Sequence, residues 1–208
     1  IYSTNEAIVF VLLKEEKEII NGEEKITTTT TETISDKSAS PAGITGKSLG
    51  AGAGDFKPEK PIPIKNFRAD ALKRHNELRK KHGVSPLKAS KTLDDVAQEW
   101  ADKLATSGQF AHRPNCQYGE NIFYAMKPGG RNVTAEEVVE NWYSEIKDYD
   151  FANSQGPRSG HFTQVVWKTS QELGIGIAKS GDKTFVVANY NPAGNMMGQY
   201  RDNVLPQK

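Results

Sequence analysis

The residues that build a packed core are concentrated in one part of this chain. All three tryptophans, all four histidines and the single cysteine lie after residue 64, whereas residues 1–64 hold only Tyr2, Phe10 and Phe56 as aromatic residues. Burial of large apolar side chains is the main favourable term in folding. The sequence therefore predicts one folded domain over residues 65–208, preceded by a flexible tail and proline-rich linker over residues 1–64.

The tail has the composition of a linker. Its apolar run over residues 7–13 is too short to span a bilayer, which needs about 20 apolar residues, and is either a strand or the remains of a signal segment. A threonine-rich run and a Gly/Ala/Ser-rich stretch follow, and three prolines within residues 58–63 favour an extended spacer. Because such a composition buries little apolar surface, we expect little fixed structure before residue 64.

Charge and cysteine content exclude some classes of protein. The 7 lysines and 10 acidic residues of the tail leave 20 basic and 16 acidic residues in the domain, a net charge of +4, which is too small to indicate nucleic-acid binding. A single cysteine excludes an internal disulfide framework and favours a reducing compartment. A basic cluster indicates either a solvated helix face or a patch for anionic lipid headgroups; its members are Lys73, Arg74, Arg79, Lys80 and Lys81.

Hydrophobic periodicity places helices first and strands last. Apolar residues at helical spacing predict a helix from Phe67 to about Gly83, a second over residues 92–107, and a third that begins at a Thr134-Ala-Glu-Glu capping box and continues to Tyr149. Alternation over residues 173–178 and 184–190 predicts a β-hairpin. Helices followed by a hairpin indicate an α+β fold with helices packed on an antiparallel sheet.

Several polar residues are candidates for chemistry. Glu145 falls inside the apolar stripe of the third helix, so it is either paired with a cation, donor or metal, or lies at the edge of the stripe and reaches solvent. His161 follows Gly160 and precedes a dense apolar run, which sets a titratable ring against packed residues. Glu120 and His112 are weaker candidates, and Cys116 is either a nucleophile or a small packed residue. None of them has the close spacing of a zinc motif.

Four motifs together resemble one known family. The motifs are His75-Asn-Glu-Leu-Arg79, Gly119-Glu-Asn-Ile122, Gly160-His-Phe-Thr-Gln-Val-Val-Trp167 and Asn189-Tyr-Asn-Pro-Ala-Gly-Asn195. Their order and spacing resemble those of the CAP superfamily, which comprises cysteine-rich secretory proteins, antigen 5 and pathogenesis-related proteins. The resemblance covers about residues 65–208. It implies an α-β-α sandwich with a central antiparallel sheet.

The resemblance also implies a site. In that superfamily two histidines and two glutamates line a central cleft, and by motif these correspond to His112, Glu120, Glu145 and His161. In some relatives the two histidines, here His112 and His161, bind zinc or another divalent metal. Neutral imidazole is a good ligand for such ions, and the carboxylates can orient the rings or a bound water.

The absence of the cysteines that secreted members carry narrows the resemblance to one branch of the superfamily. The cysteine that secreted members carry before Asn189-Tyr190 is Ala188 here, which is similar to the disulfide-free, Golgi-associated branch that attaches to cytoplasmic membrane surfaces. We therefore expect a non-enzymatic module that binds an anionic lipid or sterol membrane surface, cytoplasmic and peripheral to the Golgi or endomembranes. The alternatives are a metal-dependent hydrolase or protease and an extracellular defence effector. We expect no nucleic-acid partner, and a homodimer is a further expectation.

Overall fold

The computed structural model describes residues 8–20, 23–35, 63–154 and 159–208. The helices are α1 Ile64–Lys81, α2 Lys91–Ser107, α3 Ala135–Ser144, α4 Gly160–Val166 and α5 Tyr200–Asn203. The strands are β1 Ile8–Ile20, β2 Glu23–Ser35, β3 Lys88–Ala89, β4 Gly119–Met126, β5 Glu172–Ser180 and β6 Lys183–Asn191. Short 3₁₀ turns lie at Pro128–Gly130 and Glu145–Asp148.

The sheet lies between two helical layers, which confirms the predicted α+β sandwich. Its strand order is β2-β1-β4-β6-β5-β3. The central strands β4, β6 and β5 are antiparallel, and the predicted hairpin is β5 and β6. The sheet is mixed rather than purely antiparallel, because β3 pairs with β5 in parallel and β1 pairs with β4 in parallel at Val11 and Ala125.

Part of the amino-terminal region differs from the expectation of little fixed structure. Strands β1 and β2 form an antiparallel hairpin that runs from the pair Ile8–Ser35 to the pair Ile20–Glu23. Valine, isoleucine and threonine are enriched in strands because branched side chains suit a pleated surface, and both strands are rich in them. The Gly/Ala/Ser-rich stretch and most of the proline-rich spacer lie outside the described residues, and the domain boundary stays a prediction.

The two faces of the central strands are both buried. One face packs on α2 through Ala97, Trp100, Ala101, Leu104, Ile122, Phe185 and Val187. The other face packs on α1, α3 and α4, and its core includes Phe67, Leu78, Val139, Trp142, Phe162, Val165, Val186 and Tyr190. The stripes predicted for the helices therefore supply both layers.

Two glycines of β5 allow α2 to approach the sheet closely. A Cβ at Gly174 would lie 2.1 Å from the backbone of Leu93, and one at Gly176 would lie 2.4 Å from the backbone of Ala97. Because alternate residues of a strand face the same side, the spacing Gly-Ile-Gly presents two positions without a side chain to the helix. Larger residues at these positions would push α2 away from the sheet.

Beyond the short strand β3, side chains complete the hydrogen bonding of β5. Asp94 Oδ1 accepts a hydrogen bond from Ile175 N at 2.8 Å, and Arg68 Nε donates to Ile175 O at 2.8 Å. Two residues further along, Gln98 accepts from Ile177 N at 3.2 Å and donates to Ile177 O at 2.9 Å. An exposed strand edge is a template for pairing with another chain, and these side chains cover it.

The buried face of α1 includes a positive charge that the sequence analysis assigned to the surface. Arg79 is fully buried, and it donates hydrogen bonds of 2.8–3.0 Å to the carbonyl oxygens of Ser85, Val165, Trp167 and Ser170. Burial lowers the pKa of its guanidinium to about 10. Its assignment to a lipid-headgroup patch is therefore wrong. Arg79 follows His75 by four residues, so the helical period already placed it on the buried face.

Replacing Arg79 with methionine tests this role. We expect Arg79→Met to lower the free energy of unfolding by about 3 kcal/mol or more, because charged hydrogen bonds are lost and carbonyl groups are left buried without donors. Arg74→Met on the same helix is the control, since Arg74 forms partly exposed ion pairs with Glu77 and Glu140 that are worth at most about 1 kcal/mol. Urea unfolding measures both variants, and equal losses would contradict the assignment.

Two histidines of this layer are buried with tyrosine partners. His75 Nε2 lies 2.8 Å from the hydroxyl of Tyr190, and His82 Nε2 lies 2.8 Å from the hydroxyl of Tyr143. The Nδ1 atom of His75 bonds the carbonyl of Ala71 at 2.8 Å. Burial lowers the pKa of both imidazoles, that of His75 to about 4.

The depressed pKa of His75 predicts a loss of stability in acid. An unfolded histidine titrates near pH 6.5. Between about pH 6.5 and 4 the unfolded chain therefore binds more protons at this residue than the folded chain does. The free energy of unfolding falls as pH falls through this range, by about 3 kcal/mol for His75. We expect His75→Gln to be less stable at pH 7 but to lose less stability down to pH 4. Urea unfolding across this range measures the difference, and parallel pH profiles would contradict it.

Candidate functional site

Glu145 lies where α3 ends rather than within a longer helix. The helix stops at Ser144, and Glu145 begins the 3₁₀ turn Glu145–Asp148. The predicted continuation of this helix to Tyr149 is therefore wrong, because hydrophobic spacing does not distinguish the last α-helical turn from a 3₁₀ turn. The change of geometry leaves the carboxylate facing the start of α4.

The carboxylate of Glu145 holds both the ring and the backbone of His161. Its Oε1 atom lies 2.7 Å from His161 Nδ1, and its Oε2 atom accepts hydrogen bonds from His161 N at 2.9 Å and Phe162 N at 3.1 Å. The first amides of a helix have no partner within the helix, so Glu145 fills that need for α4. Of the two interpretations of Glu145, the paired one is correct.

A second pair joins His112 to Glu120. The Nδ1 atom of His112 lies 2.8 Å from Glu120 Oε1, which also accepts a hydrogen bond from Arg113 N at 2.9 Å. The side chain of Glu120 is 5% exposed and that of His112 is 39% exposed. Glu120 lies on β4 rather than in a loop, and it bonds both a local amide and an imidazole.

Strand β4 connects the two pairs. Glu120 and Asn121 are consecutive residues of this strand, so their side chains leave opposite faces of the sheet. Glu120 bonds His112 on one face, and Asn121 Nδ2 donates to the carbonyl of His161 at 3.1 Å on the other. We call the four residues of the two pairs, His112, Glu120, Glu145 and His161, the His/Glu site.

The carboxylates define the chemistry of the imidazoles. An imidazole Nδ1 beside a carboxylate carries the proton and donates it, which leaves Nε2 with a lone pair. His161 Nε2 is buried and has no hydrogen-bond partner among the described residues, and the same holds for Glu120 Oε2. Buried polar atoms are normally satisfied by protein, water or an ion. Within the His/Glu site, these two atoms are therefore the ones that can accept a further polar partner.

An aromatic residue supports the ring of His161. Trp142 is buried in α3, its ring centroid lies 6.4 Å from that of His161 with an interplanar angle of 25°, and its indole N–H donates to Ile122 O at 3.1 Å. The neighbouring loop supports the same helix, because Asn195 accepts from Thr163 Oγ1 at 2.6 Å and donates to Gly160 O at 2.8 Å. Residues of three of the sequence motifs, over 119–122, 160–167 and 189–195, thus lie at or beside this site.

Glycines in two of the motifs have a packing role that sequence reasoning missed. A Cβ at Gly119 would lie 2.1 Å from the side-chain oxygen of Gln164, and one at Gly194 would lie 2.7 Å from its nitrogen. That oxygen accepts a hydrogen bond from Gly194 N at 2.9 Å. Gln164 therefore fastens α4 between β4 and the loop after β6, which fixes the helix that carries His161.

The remaining predicted site residues, the basic residues of the headgroup patch and Cys116, lie in different environments. Lys73, Lys80 and Lys81 are exposed, whereas Arg74 is engaged by Glu77 and Glu140. The predicted headgroup patch therefore keeps three exposed lysines, of which Lys73 lies 4.0 Å from Glu77 and Lys81 lies 6.0 Å from the centroid of the Tyr143 ring. Burial raises the pKa of the Cys116 thiol, which disfavours the thiolate that a nucleophile needs.

The described residues offer few side chains that could together bind a metal ion. Within the described ranges, no group of three or more His, Cys, Asp or Glu residues is arranged to hold a metal ion. The described residues therefore supply at most two such ligands to a metal ion at any one place. No helix of the described part of the chain is long and apolar enough to cross a membrane.

Comparison with known proteins agrees with this architecture. Golgi-associated plant pathogenesis-related protein 1 from Homo sapiens is 43% identical over 153 residues, which cover 69% of this chain and 96% of that protein. Secreted protein RBT4 from Candida albicans is 35% identical over 163 residues, which cover 76% of this chain and 43% of that protein. The crystal structure of NaASP2 with Zn²⁺ superposes with a TM-score of 0.53 at 23% identity, covering 69% of this chain and 87% of that one.

The family assignment follows from the matched residues. Residues 72–190 match the CAP family, described as the cysteine-rich secretory protein family. This range begins in α1 and ends in β6, and it includes both members of each His–Glu pair. The chain belongs to the CAP family of cysteine-rich secretory proteins.

Proposed function

We propose that this domain is a non-enzymatic binding module whose His/Glu site holds a divalent cation, with zinc the best chemical match. The observation that carries the proposal is the arrangement of His161, whose Nδ1 is held by Glu145 while its buried Nε2 has no partner in the described structure. An imidazole with its Nδ1–H on a carboxylate is the usual form of a histidine ligand, since the carboxylate fixes the tautomer and raises the basicity of the ring.

The second imidazole has the same orientation toward a carboxylate. His112 Nδ1 faces Glu120 as His161 Nδ1 faces Glu145, at 2.8 Å and 2.7 Å. Zinc binds neutral imidazole nitrogen and leaves positions for water when the protein supplies few ligands. The structural neighbour NaASP2 was solved with Zn²⁺, which supports the choice of metal. When bound, such an ion would polarise a water or an anionic group of a ligand.

Glu120 favours a second candidate, a metal-dependent hydrolase. Its Oε2 atom is buried and unpartnered in the part of the chain that the structure describes, whereas both oxygens of Glu145 accept hydrogen bonds. A general base needs a carboxylate oxygen within reach of the water that it deprotonates. Glu120 rather than Glu145 is therefore the residue that would act as base.

A zinc titration tests the proposed site. We expect isothermal titration calorimetry at pH 7.4 to give one zinc per chain, with binding abolished by His161→Ala and weakened about 10- to 100-fold by Glu145→Gln, because the carboxylate orients the ligand. Binding should weaken on acidification, because protons compete with the ion for the imidazole nitrogens.

Two further variants separate the candidates. His82→Gln is the matched control, since it removes a buried histidine outside the site and should leave zinc affinity unchanged. Glu120→Gln distinguishes a hydrolase from a binding module. In a hydrolase it abolishes turnover of an ester or peptide substrate while zinc still binds. In a binding module the wild-type protein already shows no turnover. Wild-type protein that binds no zinc at pH 7.4 would overturn the proposal.

We also propose that the module binds an anionic lipid or sterol-containing membrane surface. Lys80 and Lys81 at the end of α1 are exposed, and each base near an anionic surface contributes about 1 kcal/mol. A separate groove of about 320 Å³ is lined by apolar residues that include Ile64, Leu72, Leu173 and Ile175, and by the charged residues Lys65, Arg68 and Asp94. These features suit an amphiphile with an anionic head.

The names of the relatives include both Golgi-associated and secreted proteins. We propose that this protein is located at the cytoplasmic face of endomembranes, with the extracellular space as the alternative.

Vesicle co-sedimentation tests the surface. We expect binding to phosphatidylserine vesicles to fall with added salt, and the double variant Lys80→Glu/Lys81→Glu to bind at least about tenfold more weakly, because two attractive charges become repulsive. Lys103→Glu on α2, in the opposite helical layer, is the control with a charge reversal elsewhere. Binding that is insensitive to anionic lipid and salt, or that falls equally in the control, would contradict the proposed surface.

A further inference from the structure

A chain of buried hydrogen bonds leads from α1 to His161. His75 Nδ1 lies 2.8 Å from the carbonyl of Ala71, which can only accept, so Nδ1 carries the proton and Nε2 is an acceptor. The hydroxyl of Tyr190, at 2.8 Å, therefore donates to Nε2. Asn121 Nδ2 in turn donates to the oxygen of Tyr190 at 3.3 Å and to the carbonyl of His161 at 3.1 Å.

The Ala71 carbonyl fixes the direction of the bonds from His75 to Tyr190, and burial shields the chain from water. His75 and Tyr190 are 0% exposed and Asn121 is 1% exposed, so water does not compete for these groups. In a low-dielectric interior such bonds strengthen one another, and an unpaired member is costly. The amide of Asn121 has its nitrogen committed to two acceptors, which leaves it one orientation.

The result is that the backbone of His161 is held on both sides of its Cα atom. Its N–H donates to Glu145 at 2.9 Å, and its carbonyl accepts from Asn121 at 3.1 Å. Glu145 also holds the ring at Nδ1. With backbone and ring both restrained, Nε2 is left with little freedom of direction, which is what a ligand atom requires.

Aromatic packing connects the same two histidines. The ring of Trp142 lies 6.2 Å from the ring of His75 and 6.4 Å from that of His161. His75 also packs against Tyr190 at 5.7 Å. A displacement of His75 or Tyr190 therefore reaches His161 by two routes, through Asn121 and through the indole ring.

We infer that His75, Tyr190 and Asn121 are positioning residues that set the direction of His161 Nε2, and hence the cation affinity of the His/Glu site. This inference rests on the proposed function for its consequence in metal binding, but the restraint on His161 itself does not depend on a metal. It also explains why a histidine occupies the buried stripe of α1.

The chain contains a matched control for this inference. Tyr143 and His82 form the same hydroxyl–Nε2 contact, also at 2.8 Å and also buried, but Tyr143 bonds Gln207 near the carboxyl terminus instead of Asn121. Tyr190→Phe and Tyr143→Phe each delete one buried hydroxyl that faces a histidine. They should destabilise the fold to a similar extent, and they differ in whether the lost bond leads to His161.

Two measurements on both variants test the inference. Nitrogen-15 NMR of labelled histidine, with His161 assigned from a His161→Gln sample, reports the chemical shifts of Nδ1 and Nε2, and thus the tautomer, of its ring without metal. We expect Tyr190→Phe to shift these signals and to weaken zinc binding about tenfold, the low end of the effect of residues that orient metal ligands. Tyr143→Phe should leave the His161 signals and zinc affinity as in the wild type.

The possible results separate this inference from the proposed function. Unchanged His161 signals in Tyr190→Phe, or equal shifts in both variants, would overturn the positioning role even if zinc binds. Wild-type protein that binds no zinc while Tyr190→Phe alone shifts the His161 ring would overturn the metal site but support the positioning role. Should Tyr190→Phe fail to fold, Asn121→Ala removes the last bond of the chain and is judged by the same two measurements.

Discussion

The need to satisfy buried polar groups organises the layer formed by α1, α3 and α4. Arg79 is buried in α1, and in place of a carboxylate partner its guanidinium bonds four backbone carbonyls. Three of those carbonyls, those of Val165, Trp167 and Ser170, belong to the end of α4 and the segment after it, so one side chain fixes where α4 stops relative to α1. Glu145 does the same at the other end of α4 by accepting its first amides. Between these two restraints, α4 carries His161 in a defined place.

Much of this fold follows from patterns in the sequence. Apolar periodicity correctly placed α1, α2 and the beginning of α3, and alternation correctly placed the β5–β6 hairpin. What pattern could not give is the point where one helical geometry becomes another, as at Ser144. It also assigned Arg79 to the surface, because a residue type that is usually exposed was given more weight than its position four residues after His75.

The sequence likewise predicted some features of the His/Glu site and missed others. The sequence identified Glu145 as out of place in an apolar stripe, which left open whether it was paired or lay at the edge of the stripe. The identity of the partner came from resemblance, because His161 is 16 residues away along the chain and no local spacing connects the two. Asn121, Gln164 and Tyr190 were missed as supporting residues, since their roles arise from contacts between β4, β6 and α4 that only the folded chain brings together.

The position of the His/Glu site has a mechanical consequence. Glu120 and Asn121 leave β4 on opposite faces, so the pair with His112 lies on the side of α2 and the contact with His161 lies on the side of α4. A cation shared by the two imidazoles would therefore join the two helical layers at the end of one strand. A ligand that binds only the folded state stabilises it by mass action. The side chain of His112 is 39% exposed and that of His161 is 21% exposed. Ordering by a cation would therefore act mainly on His112, while His161 is already restrained by Glu145 and Asn121.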